Sequence, residues 1–260
     1  LEFKLHLEDN SQLANGTISR HFTDLGVIWS YARGVERYAY ENPFSKHGIE
    51  VKKDRIKYKA WDIEDLRKVL KVMNHETDKL MVYLAWYTGS RLGECLSVRP
   101  IDIYQDQLSK VWVVSIKPDD EEREYISKLD ESAKNEHARR IVPIHDALLE
   151  QLLKFKKSNY GWYRKTNNAY SQAFGRAKVL IKNPVNPDVL SPITKKRKQY
   201  CFHSIRHNVA TNFDRAKVEE RVAAKLVGHS TVGATMTYDY YSEGVEFKEA
   251  LKEINKLPIL

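Results

Sequence analysis

Apolar residues near the start of the chain recur at the spacing of an amphipathic helix. The pattern spans residues 17–40 and predicts one long helix. Residues 41–59 are polar and irregular, with Pro43 and Gly48 as helix breakers, and they turn basic towards their end. This stretch is typical of a linker, which either follows a phosphate backbone or is simply solvated. The apolar positions of the helix are Phe22, Leu25, Ile28, Trp29 and Ala32.

Two further helices are expected after this linker. Asp62 can cap a helix over residues 63–73, with Asp65 three positions later in the manner of a capping box. Residues 78–87 are apolar nearly all round, which predicts a buried helix. Gly89 breaks that helix, and a third helix is expected to begin directly after it.

The middle of the chain carries the pattern of β-strands. Residues 111–116 and 139–144 are rich in β-branched side chains and predict two strands. The acidic residues 119–131 lie between them and would repel phosphates, so we expect a loop turned away from any phosphate-rich partner. From residue 146 onward the pattern is again mostly helical. The tail after residue 242 is amphipathic, with apolar positions at Val245, Phe247, Ala250, Leu251 and Ile254.

The chain has an excess of basic side chains. Its 260 residues include 43 Lys and Arg against 35 Asp and Glu, a formal charge of +8. This balance suits a nucleic-acid partner, because Lys and Arg displace the counterions that condense on phosphates. A soluble basic protein without such a partner would show the same balance.

Other features of the composition exclude several classes of protein. Cys95 and Cys201 lie far apart and outside any CxxC pair, so we expect neither a disulfide scaffold nor a cysteine metal site. The longest clean apolar run, residues 81–87, is far shorter than the ~20 residues of a membrane span. Residues 1–10 lack the basic and apolar regions of a signal peptide, so we expect a cytoplasmic protein with no membrane partner.

Four short segments hold the candidate chemistry. They are Thr88-Gly89-Ser90-Arg91 with Glu94, the stretch from Lys134 to Pro143, His203 with Arg206 and His207, and Gly228-His229 followed by Tyr238. Each segment alone is weak evidence, since surface arginines and structural histidines are common. Together they offer fixed positive charge and a nucleophile. Phosphodiester cleavage needs both, because negative charge builds on the phosphate oxygens.

The ordered segments resemble the tyrosine recombinase (phage integrase) family over roughly residues 60–242. The family pattern T-G-x-R-x-x-E is matched by Thr88, Gly89, Arg91 and Glu94. The pattern H-x-x-R-H is matched by His203, Arg206 and His207. Where the family has L-G-H, this chain has Val227-Gly228-His229, with Tyr238 nine residues after the histidine.

The resemblance implies a catalytic role for the matched residues. Tyr238 would be the covalent nucleophile, and its spacing from His229 favours it over the neighbouring tyrosines. Arg91, Arg206, His203 and His229 would bind the scissile phosphate. Because this cationic cluster replaces a divalent ion, the resemblance implies no metal and no cofactor.

The resemblance also implies supporting residues and a general acid. Glu94 would hold Arg91 or the histidines in place, and His207 would be a supporting or a buried structural residue. The family's lysine lies on a β-hairpin turn before a strand that ends in Val-Pro. Lys134 fits this position, although Lys128 and Lys117 lie on the same connection. A lysine here would protonate the leaving 5′ oxygen.

The fold that the resemblance implies is mostly α with a small antiparallel β-sheet of about three strands, an α+β catalytic domain over residues 58–242. Residues 1–57 resemble the end of the family's helical core-binding domain, which is usually longer, together with a basic linker. Residues 243–260 would form a tail helix, exchanged with a neighbouring protomer or folded back on its own domain. Candidate DNA contacts are Arg20, Lys52, Lys53, Arg55, Lys195, Lys196, Arg197 and Lys198.

The function that the resemblance implies is site-specific DNA recombination through a 3′-phosphotyrosyl intermediate, in phage or mobile-element integration and excision. The implied partners are double-stranded DNA, further copies of the chain in a tetramer on DNA, and accessory DNA-bending proteins. Two alternatives stay open. A type IB topoisomerase-like relaxase uses the same chemistry without exchanging duplexes, and a basic DNA-binding module carries out no chemistry.

Overall fold

The chain forms two compact units, residues 1–57 and residues 58–260. No helix in the part of the chain that the structure describes is long and apolar enough to cross a membrane. The structure, a computed structural model, describes residues 2–10, 13–36, 40–45, 47–50, 58–116, 139–158, 161–181, 199–228 and 246–260.

The first unit is built on two helices, α1 (Glu2–Asn10) and α2 (Asn15–Glu36). The helix predicted over residues 17–40 is confirmed as α2, although Tyr40 lies in a bend outside it. Helix α1 was not predicted. Because α1 has no clear apolar stripe, its sequence pattern alone does not mark it as a helix.

The small core of this unit lies along one face of α2. Ile18 and Phe22 are 1% and 5% exposed and pack with Ile49. Ile28, predicted for the apolar face, is 63% exposed. Six residues after Phe22, it lies about 120° around the helix from the buried side. The prediction for Ile28 was therefore wrong.

The second unit begins with the two predicted helices, α3 (Ile63–Val72) and α4 (Glu76–Thr88). Asp62 caps α3, since its Oδ1 accepts a hydrogen bond from the Glu64 amide at 2.9 Å. Asp65 accepts from Lys68 at 2.8 Å. Helix α4 is buried as predicted and lies in the centre of the main core.

The second unit also contains a three-stranded antiparallel sheet, counted over the described residues. Its strands are β1 (Ile103–Gln105), β2 (Trp112–Ile116) and β3 (Arg140–Pro143), in that order. β2 and β3 confirm the two predicted strands, and the three-residue β1 was too short to show a period. Val114 pairs with Val142, which joins the strands on both sides of the acidic segment. That segment lies outside the described residues.

The remaining helices complete a mostly α unit with one small sheet, so the predicted fold class is confirmed. Helix α4 packs against α6 (Asp146–Ser158) and α8 (Ser204–Arg215). The short α5 (Leu92–Leu96) follows α4 and leads into a 3₁₀ turn at Pro100–Asp102. The helices are α5 (Leu92–Leu96), α6 (Asp146–Ser158), α7 (Asn167–Val179), α8 (Ser204–Arg215), α9 (Glu220–Val227) and α10 (Phe247–Ile254).

The C-terminal tail packs on the unit to which it belongs. Ala250, Ile254 and Leu257 are at most 4% exposed and join the main core. The indole Nε1 of Trp86 donates to Pro258 O at 2.8 Å. Exchange of the tail between protomers stays a prediction.

Candidate active site

The turn between α4 and α5 carries the first predicted motif. Gly89 ends α4 in the left-handed conformation, with φ 64° and ψ 15°. A Cβ on Gly89 would lie 2.7 Å from Val227 Cγ1, so only glycine allows this turn to pack against α9. Thr88 Oγ1 lies 2.8 Å from Ser90 Oγ, and both side chains are buried. The backbone that leads to Arg91 is therefore fixed by local contacts.

Arg91 and Glu94 form a two-sided contact at the start of α5. The Arg91 amide donates to Glu94 Oε2 at 3.1 Å, and Arg91 Nη1 donates to Glu94 Oε1 at 2.8 Å. The Glu94 side chain is 2% exposed, whereas that of Arg91 is 43% exposed. Glu94 therefore holds Arg91 from the protein side and leaves much of the Arg91 side chain open to solvent.

Arg206 joins two turns that are distant in sequence. It lies on α8, where its Nη1 donates to Gly89 O at 2.6 Å and its Nη2 donates to Gly228 O at 3.1 Å. Burial, together with the charges of Arg91 and Arg140, lowers the pKa of Arg206 to about 10. The guanidinium is still protonated at neutral pH, so positive charge is fixed between the two turns.

His203 lies at the N-cap of α8, three residues before Arg206. Its ring is edge-on to that of His207 at 5.6 Å and to that of Tyr58 at 6.4 Å. Desolvation of the ring lowers the pKa of His203, and the charges of His207, Arg206 and Arg91 lower it further. His203 therefore shares the electrostatic environment of the two arginines.

Arg140, the first residue of β3, was not among the residues predicted for the site. Its side chain is 6% exposed. Nε donates to Leu226 O at 2.9 Å, while Nη2 donates to Ser90 Oγ at 2.9 Å and to Glu94 Oε2 at 3.2 Å. Strand alternation could have found it, because Arg140 lies on the same face as Val142, which is fully buried.

The cluster has a net positive charge. Burial by itself raises the pKa of the Glu94 carboxyl, but the Arg140 charge and the hydrogen bonds from Arg91 outweigh it. The pKa of Glu94 therefore lies below its usual value, and the group is ionised at neutral pH. The guanidiniums of Arg91 and Arg140 bind this one carboxylate, and the charge of Arg206 also interacts with it. Such an arrangement suits a bound anion.

The structure brings Arg91, Glu94, His203 and Arg206 into one cluster, with His207 exposed beside His203. Arg20 is exposed on α2 in the first unit. In the described part of the chain, no three His, Cys, Asp or Glu side chains are grouped as metal ligands. The other predicted residues lie outside the described residues; they are Lys134, His229, Tyr238, Lys52, Lys53, Arg55, Lys195, Lys196, Arg197 and Lys198.

Solved structures with the same fold come from DNA recombination proteins. The Tn1549 transposon integrase in complex with transposon right end DNA superimposes with a TM-score of 0.56 at 18% identity, covering 98% of this chain and 83% of that one. A lambda integrase dimer bound to a core site gives a TM-score of 0.51 at 13% identity, covering 94% and 80%. These similarities show the fold.

Sequence comparisons extend this similarity to the family. A XerC-like tyrosine recombinase of Caldanaerobacter subterraneus subsp. tengcongensis is 23% identical over 233 residues, covering 81% of this chain. The chain spans 58% of that relative's length. A tyrosine recombinase of Thermosipho africanus is 24% identical over 252 residues. The match covers 92% of this chain and 76% of the Thermosipho protein. The model of the phage integrase family matches residues 59–243. The predicted resemblance is confirmed, and the chain belongs to the phage integrase family of tyrosine recombinases.

Proposed function

We propose that the protein is a site-specific DNA recombinase that cleaves and rejoins strands through a covalent bond to Tyr238. The observation that carries the proposal is the pairing of Arg91 and Arg206 around the Gly89 turn. Arg91 lies beside Glu94 directly after this turn, and Arg206 binds the turn's carbonyl at 2.6 Å. Two guanidiniums from segments more than a hundred residues apart are thus held in one cluster with His203.

These groups suit the charge that develops during phosphodiester cleavage. A guanidinium stays charged and can donate two parallel hydrogen bonds to one phosphate. Arg91, Arg206 and His203 supply such donors from fixed positions, so they need little rearrangement when charge builds on the non-bridging oxygens. The positive charge would also favour the phenolate of Tyr238, whose ordinary pKa is about 10.

The proposed step conserves the energy of the broken bond. The Tyr238 phenolate oxygen attacks phosphorus and the bond from phosphorus to the 5′ oxygen breaks. Lys134 gives a proton to that leaving oxygen, which departs as a 5′-hydroxyl. His229 donates to the same phosphate oxygens; the residue before it is anchored, because Gly228 O accepts from Arg206 at 3.1 Å. A 5′-hydroxyl from a partner strand then reverses the step. The reaction therefore requires no cofactor.

The biological setting that we propose is integration or excision of a phage or mobile element in a bacterial cytoplasm. The partner is double-stranded DNA at attachment-type sites, bound by four copies of the chain, with accessory DNA-bending proteins. Support comes from the two similar structures, which are integrases bound to transposon-end DNA and to a core site. The basic charge of +8 suits this partner.

The test uses nicked duplexes tiled across the DNA that flanks the gene, where such a recombinase would find its own site. After cleavage close to a nick, the short fragment diffuses away and traps the enzyme on DNA. We expect the wild-type chain to form a covalent adduct that survives denaturation. Tyr238→Phe should form none, because the nucleophilic oxygen is lost, and the neighbouring Tyr240→Phe serves as the matched control.

Each other outcome has a defined meaning. An adduct that persists in Tyr238→Phe would assign the nucleophile to another tyrosine. Binding of the duplexes with no adduct would identify a DNA-binding module without chemistry. An adduct that religates only its own duplex, with no joining of two distinct duplexes, would identify a topoisomerase-like relaxase.

A further inference from the structure

Arg140 contacts three separate segments of the catalytic unit with a single side chain. Its donors bind the carbonyl of Leu226 at the end of α9, the hydroxyl of Ser90 in the Gly89 turn, and the carboxylate of Glu94 on α5. Leu226 is 86 residues from Arg140, and Ser90 is 50 residues away. One guanidinium therefore links three segments that are distant from it in sequence.

A charged residue at this position is not the simplest way to fill a core. Removing a guanidinium from water is costly, and apolar residues of similar volume often stabilise a fold as well or better. What a guanidinium adds is a rigid planar set of donors that point in different directions. At Arg140 these directions match an amide carbonyl on one side and a hydroxyl and a carboxylate on the other.

We propose that Arg140 is a positioning residue for the strand-cleavage site, fixing Glu94 and, through it, Arg91 relative to the turn that ends α9. The proposal rests on the function proposed above. The contacts run from Arg91 Nη1 to Glu94 Oε1 at 2.8 Å, from Glu94 Oε2 to Arg140 Nη2 at 3.2 Å, and from Arg140 Nε to Leu226 O at 2.9 Å. Each oxygen of Glu94 therefore binds the guanidinium of a different arginine, and Oε2 also accepts from the Arg91 amide.

The division of the Glu94 oxygens explains why Arg91 remains available. Glu94 is buried and charged, so it needs positive partners on the protein side. Arg140 supplies one that is itself buried. Without it, Arg91 would be the remaining ion-pair partner of Glu94 among the described residues and would be held away from a phosphate. Arg140 thus sets where the Arg91 guanidinium lies, although it does not touch DNA.

Arg206 makes a parallel connection that limits what Arg140 must do. It donates to Gly228 O, two residues after the carbonyl that Arg140 binds. The end of α9 is therefore held at two points by two guanidiniums. Arg206 also contacts the Gly89 carbonyl, so loss of Arg140 leaves one link between the two turns in place. We therefore expect Arg140 variants to fold but to misplace Glu94 and Arg91.

The test compares Arg140→Lys with wild type in single-turnover adduct formation on the nicked duplex that traps the wild-type chain. Lysine keeps the positive charge but cannot reach all three acceptors. We expect the rate constant at saturating DNA to fall by about 10- to 100-fold, as for other changes that misplace a reacting group by a small distance. Because Arg140 is buried, the Kd for the duplex should change by less than about threefold.

The matched control is Arg164→Lys. Arg164 also forms a part-buried ion pair, with its Nε 2.8 Å from Asp78 Oδ2. Asp78 and Thr88 lie near opposite ends of α4, ten residues and therefore about 15 Å apart along the helix. The Arg164→Lys variant should have a lower free energy of unfolding but the wild-type rate constant for adduct formation. Partial unfolding lowers the amplitude of adduct formation, whereas misplacement lowers its rate constant.

The outcomes separate the inference from the proposed function. If wild type forms no adduct, the proposed function fails. If wild type reacts and Arg140→Lys has the same rate constant, the positioning role is wrong. It is also wrong if the rate constant falls equally in Arg140→Lys and Arg164→Lys. Should Arg140→Lys not fold, Ser90→Ala decides, because it removes one acceptor and retains the charges. A drop of about threefold or more in its rate constant supports the role, and an unchanged one overturns it.

Discussion

At the scale of single residues, His145 shows how a buried ring is held in one protonation state. Its Nδ1 accepts a hydrogen bond from the Ala147 amide at 3.0 Å, so the proton of the neutral ring lies on Nε2. Nε2 is 3.3 Å from Leu257 O, and the ring stacks on Tyr87 at 4.2 Å. Burial lowers the pKa of His145, against smaller opposing effects of the Leu257 carbonyl and Asp146. The neutral ring therefore helps to dock the tail.

This lowered pKa predicts how stability depends on pH. The unfolded chain takes up a proton on His145 near pH 6.5, before the folded chain does. The contribution is therefore fully present above about pH 6.5 and is lost as pH falls through the lower folded pKa. His145→Gln should reduce this loss. Urea unfolding of both proteins from about pH 8 to about pH 5 measures it, and parallel profiles would contradict the assignment.

At the scale of elements, the contact between the Gly89 turn and α9 depends on one missing side chain. Gly89 has φ 64°, and Val227 Cγ1 occupies the space beside its Cα. The close approach places Gly89 O within reach of Arg206. Gly89 therefore ends α4, allows the turn to pack against α9, and accepts the hydrogen bond from the Arg206 guanidinium.

Gly89→Ala should lower the free energy of unfolding by about 2 kcal/mol or more. A left-handed conformation costs alanine about 1–2 kcal/mol, and Val227 must also move. The matched control is Gly175→Ala in α7, where no atom lies within 4 Å of the added Cβ. The Gly175→Ala change should raise the free energy of unfolding by roughly 0.5–1 kcal/mol. Chemical unfolding checks both, and equal effects would show that the turn is more tolerant than its geometry indicates.

At the scale of the whole molecule, the tail completes the core of the catalytic unit. Ile254 is fully buried, and the tail also meets α3, since Arg67 Nη2 donates to Ile259 O at 2.7 Å. At the chain end, the Leu260 amide donates to the Tyr87 hydroxyl at 3.1 Å. The tail therefore contacts helices from the start of the same unit.

Ile254→Ala should lower the free energy of unfolding by about 2–5 kcal/mol, because it leaves a cavity in the main core. The exposed Lys252→Ala should change it by less than about 0.5 kcal/mol. Thermal unfolding at two protein concentrations, about tenfold apart, adds a second result. A tail packed within one chain gives a constant Tm, whereas a tail exchanged between protomers gives a Tm that rises with concentration.

The sequence by itself determined the features that depend on neighbours along the chain. The Asp62 cap, the buried helix α4 and the break at Gly89 follow from local hydrogen bonding, apolar spacing and backbone freedom. The four motifs in order, around Arg91, Lys134, His203 with Arg206, and His229 with Tyr238, were together enough to predict the family, which the comparisons confirm. These signals depend on neighbouring residues or on the order of motifs along the chain, so the amino-acid sequence alone contains them.

Only the tertiary structure decided which groups the buried Arg140 binds and which positions of α2 face solvent. Arg139 and Arg140 are adjacent in sequence, yet Arg139 is exposed and the Arg140 side chain is 6% exposed. The partners of Arg140 lie 46 to 86 residues away. Ile28 was predicted for a core that forms around Ile18 and Phe22 instead. Burial depends on which surfaces, distant in sequence, pack against each other. A local sequence pattern does not give the free energy gained by that packing.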